Sequence, residues 1–246
     1  MKLPLIRHRH PRALLERVCL GIAAVVCAPL LVAGCGNFTQ LDLNDKSAMH
    51  LSVRALHRFG VGPGGGGIEG ELTNVRATGG QQLGATQTAT LNDQSIGGPA
   101  NLTHTARVQH AQVVYNHLLF AGRPVEMEWF AGVAWQRLSW HTASTTSSDP
   151  RLTLQSDWVG PAGGALGRVR LNPSLALELR YGAATRLTGG AGSRGSTELA
   201  LAFKPAPPLV LRLGYARSNA FDHQSNVSTE VFVTARGPFL SLGLDL

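Results

Sequence analysis

The chain has 246 residues, with 22 Lys+Arg against 15 Asp+Glu, for a formal charge of +7. That length fits one domain or two, and 43% apolar residues exclude wholesale disorder. Only 15% of residues are charged and 29 are glycine, so the long Ala/Leu/Glu/Lys runs of a helix-rich enzyme are absent after residue 34. All three cysteines precede residue 36, which excludes a disulfide scaffold downstream.

The N-terminus reads as an export address. Residues 1–17 carry Lys2, Arg7, Arg9, Arg12 and Arg17 against Glu16, and residues 18–33 (VCLGIAAVVCAPLLVA) are apolar. A cationic segment followed by a short apolar one is the pattern of a secretory signal. The run is shorter than the roughly 20 residues a membrane helix needs. The sequence Leu31-Val32-Ala33-Gly34-Cys35-Gly36 resembles the lipobox of bacterial lipoproteins. That resemblance implies cleavage before Cys35, acylation of its thiol and of the new α-amine, and, with Gly36 following, sorting to the outer membrane. The expected organisation is a signal over 1–34, a lipidated tether over 35–47 and one domain over 48–246. Removal of the signal takes five Lys/Arg and one acid, leaving +3 on the remainder. The basic balance therefore gives no support to nucleic-acid binding.

From residue 48 the dominant signal is a period of two, the mark of β-strands. Segments 48–57 and 81–91 alternate tolerably; 66–76 does so less well, with Glu69 and Glu71 on one face. GVGPGGGG (60–67) reads as a loop and lacks the Gly-Lys-Ser/Thr of a phosphate loop. Strands are predicted over 104–120, 125–141, 162–171, 174–186, 196–204, 209–217 and 228–246. Residues 129–136 set Trp129, Ala131, Val133 and Trp135 against Phe130, Gly132, Ala134 and Gln136. In FLSLGLDL, Leu240, Leu242, Leu244 and Leu246 share one face.

Alternation does not say which face is inside. The less apolar face is rich in Gly and Ala with scattered Arg and Glu, which suits a narrow interior. Breaks alternate between short (121–124, 172–174, 205–208) and long (142–161, 187–196, 218–227), as in barrels with short periplasmic turns and long outer loops. Across 48–246 the pattern resembles small outer-membrane β-barrel proteins. The expected fold is all-β: an antiparallel up-and-down transmembrane barrel of eight to ten strands. Cys35 on the periplasmic side requires an odd number of strands before residue 104, and ten in all is favoured over eight. Trp129, Trp135, Trp140, Tyr115, Tyr181 and Tyr215 are candidates for interfacial girdles.

On this reading Arg168, Arg170, Glu178, Arg180, Glu198 and Arg212 face the interior. Unpaired charges there cost several kcal/mol each, so an ion-pair plug is expected. His223-Gln224-Ser225-Asn226 resembles the His-x-Ser-Asn segment of lipid A 3-O-deacylases, also small barrels. The resemblance implies His223 as general base and Ser225 as nucleophile. The residues from Val231 to Leu244 include no carboxylate, so Glu230 alone is left for the orienting acid. The leading reading of 218–230 is a polar surface loop. His141 with Ser144 is a weaker version of the same idea. His50, His57, His104, His110 and His117 form no compact metal pattern, and His110 and His117 fall on opposite strand faces.

The expected function is structural or interactive at the outer-membrane surface, without catalysis, cofactor or metal. The expected partners are outer-membrane lipids, lipopolysaccharide among them, and the lipoprotein-sorting and barrel-assembly machineries. The alternatives are a lipid A acyl hydrolase and a periplasmic, lipid-anchored, lipocalin-like binding module.

Overall fold

The computed structural model describes residues 39–45, 48–59, 64–91, 94–121, 124–144, 151–188, 190–224 and 229–246. Cys35 and Ser225 lie outside the described residues, as do the side chains of 39–47 and 224–230.

The secondary structure is strand throughout. β1 (Thr39–Asp45) and β2 (Met49–Phe59) lead into β3 (Gly66–Leu83). β4 (Thr88–Leu91) and β5 (Gln94–Gly97) form a separate hairpin. β6 (Ala100–Ala121), β7 (Val125–Ser144), β8 (Arg151–Asn172), β9 (Leu175–Thr185), β10 (Gly190–Phe203), β11 (Leu209–Gln224) and β12 (Thr229–Asp245) follow. Nine strands close into a ring in the order β2-β3-β6-β7-β8-β9-β10-β11-β12. Neighbours are antiparallel except at the closing seam, where β2 pairs with β12 in parallel. β1 prolongs β2 along the same edge: Thr39–Asp45 faces Thr229–Ala235, and His50–Leu56 faces Phe239–Asp245.

The ring thus holds neither eight strands nor the favoured ten. Residues 66–83 run as one strand, because Glu69 and Glu71, which weakened that segment in sequence, face the interior and find arginine partners there. Segment 81–91 is divided between the end of β3 and the small hairpin. Only two ring strands precede β6, so the parity required for an even ring fails. An odd ring places the start of its first strand opposite the end of its last, and the parallel seam follows directly from this.

The strand ends at Phe59, Gly66, Ala121, Val125, Asn172, Leu175, Phe203 and Leu209 share one end of the ring with Leu246; we call this the short-turn end. At the far end lie Leu83, Ala100, Ser144, Arg151, Thr185, Gly190, Gln224 and Thr229, with the start of β1. The long breaks foreseen at 142–161, 187–196 and 218–227 are mostly strand, because the alternation continues there with its polarity reversed.

That reversal is the main feature of the packing. In the short-turn half the apolar residues point outward. Leu72, Val113, Val133, Val159, Leu179, Leu199 and Leu213 are exposed, as are Leu240, Leu242, Leu244 and Leu246. The interior of that half carries Arg, Glu, Gln and Asn. In the far half the outward positions are polar, among them Arg76, Thr78, Thr103, Arg107, Gln155, Asp157, Arg217 and Asn219. Its interior is largely apolar: Val75, Leu102, Val108, Leu138, Trp140, Leu154, Val231 and Val233 form one buried cluster, with His104, Thr142, Ser156 and Asp222 among the few polar side chains beside it. The hairpin contributes Ala89 and Ile96 to the same cluster. The far half therefore carries polar side chains outside and mostly apolar ones inside, and the short-turn half the reverse.

Candidate functional site

The charged interior of the short-turn half is the densest concentration of chemistry in the described residues. Five arginines (Arg54, Arg168, Arg180, Arg194, Arg212) and five glutamates (Glu69, Glu71, Glu128, Glu178, Glu198) are buried. Strand periodicity places them: each lies on the inward register of its strand. Small inward neighbours such as Ala134, Ala184, Ala200, Ala202 and Ala216 leave room for the guanidinium groups.

The network has two groups. Nearer the short-turn end, the Glu178 carboxylate accepts from Arg168 Nε at 2.8 Å and from Arg212 Nε at 2.7 Å. Arg168 also reaches Glu126 at 3.2 Å and Glu128 at 3.7 Å, and Arg58 donates to Glu128 at 2.7 Å. Toward mid-ring, Arg54 pairs with Glu198 and, at 3.2 Å, with Glu71. Arg180 lies 2.6 Å from Glu69 and 3.3 Å from Glu71. Glu71 also accepts from Thr73 at 2.8 Å and Gln112 at 2.6 Å, and Asn116 donates to Glu69 at 3.1 Å. The Arg180 guanidinium stacks 4.2 Å from the Phe130 ring centroid, and that of Arg54 lies 5.5 Å from Phe239. Several of these pairs bridge strands that are not neighbours: β2 to β7 and β10, β3 to β9, β9 to β11.

The expected interior residues Arg168, Glu178, Arg180, Glu198 and Arg212 are all brought together. Arg170 is a correction. Its side chain is 54% exposed and it reaches Glu126 at 2.5 Å from the rim, because a register shift between Arg170 and Asn172 ends the regular strand at the open edge. Sequence reasoning missed Arg54, Arg58, Arg194, Glu69, Glu71, Glu126 and Glu128 as members of the network. Their signal is the same inward register, which in β3 reads instead as a charge that weakens an apolar strand. Trp140 is a second correction. It is buried in the far-half interior and donates to Thr142 Oγ1 at 2.8 Å, since polarity has already reversed at its level. Trp129, Tyr115 and Tyr215 do face outward. Tyr115 and Trp129 meet edge to face with centroids 6.0 Å apart.

The second candidate, His223 with Ser225 and Glu230, is only partly described. His223 is a strand residue of β11, not part of a loop, and it sits opposite Glu230 of β12. Its neighbour Asp222 faces the interior, where Arg186 donates to it at 3.1 Å, so His223 holds the outward register. Among the described residues no group of three His, Cys, Asp or Glu is placed to hold a metal.

The network leaves little free space. A cavity of about 80 Å³ opens at the short-turn rim, lined by Arg168, Arg170, Asn172, Ser174, Glu178 and Lys204. A pocket of about 10 Å³ lies between Glu71, His110, Gln112, Arg194 and Ser196. The latter is about the size of one water. Chemically the site is a charge-balanced plug that ties opposite walls together. No protein-family model, curated protein or solved structure matches the chain.

Proposed function

We propose that the ring is a small outer-membrane β-barrel, held in the membrane by its short-turn half, with a structural or surface-interaction role and no catalysis. The observation that carries this reading is the polarity reversal along the strands. A band of exposed Leu, Val and aromatic side chains encircling a charged interior is unfavourable in water and favourable in lipid, whereas the far half follows the opposite rule. A barrel closes all its strand edges, which is the condition for strands to cross a bilayer. Among the described residues no helix is long and apolar enough to cross a membrane, a fact that leaves crossing by strands untouched.

The filled interior favours a support or docking body over a pore. Outer-membrane lipids, lipopolysaccharide and the assembly machineries are the natural partners on this reading. The N-terminal signal and Cys35 supply the address and the lipid anchor. The periplasmic, lipid-anchored, lipocalin-like alternative requires apolar residues inward at the level of Leu240 and Leu242, where they are outward.

The test is extraction of the Cys35→Ser protein. A membrane barrel stays in the detergent-soluble membrane fraction without its acyl anchor and shows heat-modifiable gel mobility. A Cys35→Ser protein that is freely soluble and monomeric in buffer would overturn the reading.

A further inference from the structure

Just above the apolar band, the outward face carries a row of arginines. They are Arg76 on β3, Arg107 on β6, Arg137 on β7, Arg217 on β11 and Arg236 on β12. With β2 between β12 and β3, these strands form one continuous arc of the ring, six strands wide. At the two borders of the arc the facing residues carry no cation: Thr197 of β10 sits opposite Arg217, and Asp157 of β8 sits opposite Arg137.

The pairing within this arc is unusual. Arg76 sits directly opposite Arg107, and Arg217 directly opposite Arg236. Like charges facing each other across neighbouring strands are destabilising. Among the described residues, Arg76, Arg107, Arg217 and Arg236 have no carboxylate partner to offset this. Asn74 Oδ1 instead accepts from Arg107 Nε at 3.0 Å, and Asn219 Oδ1 from Arg217 Nε at 3.4 Å. Those bonds hold the guanidinium groups by one edge and leave the Nη fork open. Arg137 closes the arc, tied to Asp157 at 2.7 Å and lying against Trp135 at 5.4 Å.

Resting on the barrel reading above, we propose that this arc is a binding surface for phosphorylated lipid in the leaflet beside the protruding half. The phosphates lie between the facing arginines and the acyl chains lie on Leu51, Leu72, Val113, Leu213 and Leu240 below them. Three features commit the surface to a lipid. The arginines stand at the boundary between exposed apolar and exposed polar side chains, which is where a headgroup phosphate meets its acyl chains. Guanidinium forks match phosphate oxygens in bidentate geometry. The facing pairs, which are a liability alone, are neutralised by an anion between them. A lipid with two phosphates and several chains, such as lipid A, spans more of the arc than a lipid with one.

The test uses full-length protein in phosphatidylcholine vesicles, with and without lipid A, read by the lipid retained on the purified protein. The variants are Arg76→Gln/Arg107→Gln and Arg217→Gln/Arg236→Gln, all at exposed or half-exposed positions away from the interior network. Wild type is expected to retain lipid A in preference to phosphatidylcholine. Each arginine removed should weaken that preference about fivefold, and each pair about 25-fold. Unchanged heat-modifiable mobility in pure phosphatidylcholine verifies that the variants fold. Insertion of wild type without any lipid A preference overturns the arc and leaves the barrel standing. Equal displacement of lipid A by inorganic phosphate at matched concentration identifies a free-anion site and also overturns it. Failure to insert in either vesicle overturns the barrel reading and the arc with it.

Discussion

Glu178 is the most informative residue to perturb. Its two carboxylate oxygens serve Arg168 and Arg212 separately, at 2.8 and 2.7 Å, and the three side chains are 4%, 8% and 10% exposed. Arg168 keeps Glu126 and Glu128 if Glu178 is lost. Arg212 keeps no carboxylate among the described residues, and its Nη1 already lacks an acceptor. Glu178→Leu therefore strands one buried cation. Removing one partner of a buried pair costs about 3–5 kcal/mol, because the remaining charge stays desolvated. Urea titration of the folded form in vesicles, read by gel mobility, gives the loss directly. The double variant Glu178→Leu/Arg212→Met removes both charges and should recover most of it, since apolar replacement of a whole buried pair is close to neutral. Arg137 and Asp157 supply the control: their geometry is as good, at 2.7 Å, but both side chains are about 40% exposed. Asp157→Asn should leave the midpoint unmoved. A Glu178→Leu loss under about 0.5 kcal/mol, within the range of an ordinary surface change, would refute the premise that this interior is dry.

The two halves of the ring should answer to opposite substitutions. Leu213→Arg places a charge on the outward apolar band and should cost about 2–4 kcal/mol in vesicles, whereas Thr105→Arg, outward in the polar half, should be silent in the same urea titration. Trp140→Ala opens a cavity in the far-half interior and should cost about 3–5 kcal/mol, with the loss appearing both in detergent and in vesicles.

Much of the ring was legible in sequence because strand periodicity is local. The alternation of Leu240, Leu242, Leu244 and Leu246 against Ser241, Gly243 and Asp245 needs no partner to be read. The same rule put Arg168, Glu178, Arg180, Glu198 and Arg212 on one face. It failed where the rule itself is local: a carboxylate such as Glu71 is unfavourable on an apolar strand until Arg54 and Arg180, from β2 and β9, surround it. The polar neighbours of His223 predict a loop, yet a strand that has passed out of the apolar band alternates with polar residues outside.

Sequence by itself determined the all-β class, the period-two faces and the short connections near 121–124, 172–174 and 205–208. Tertiary structure alone decided the number nine, the parallel seam between β2 and β12, and the end at which the chain enters the ring. It also decided the height at which polarity reverses and which charges meet across the interior. The physical reason is range. Side-chain direction is set by each residue's own dihedrals, whereas closure, parity and charge pairing depend on registers between strands far apart in sequence, such as Leu51 of β2 with Leu240 of β12.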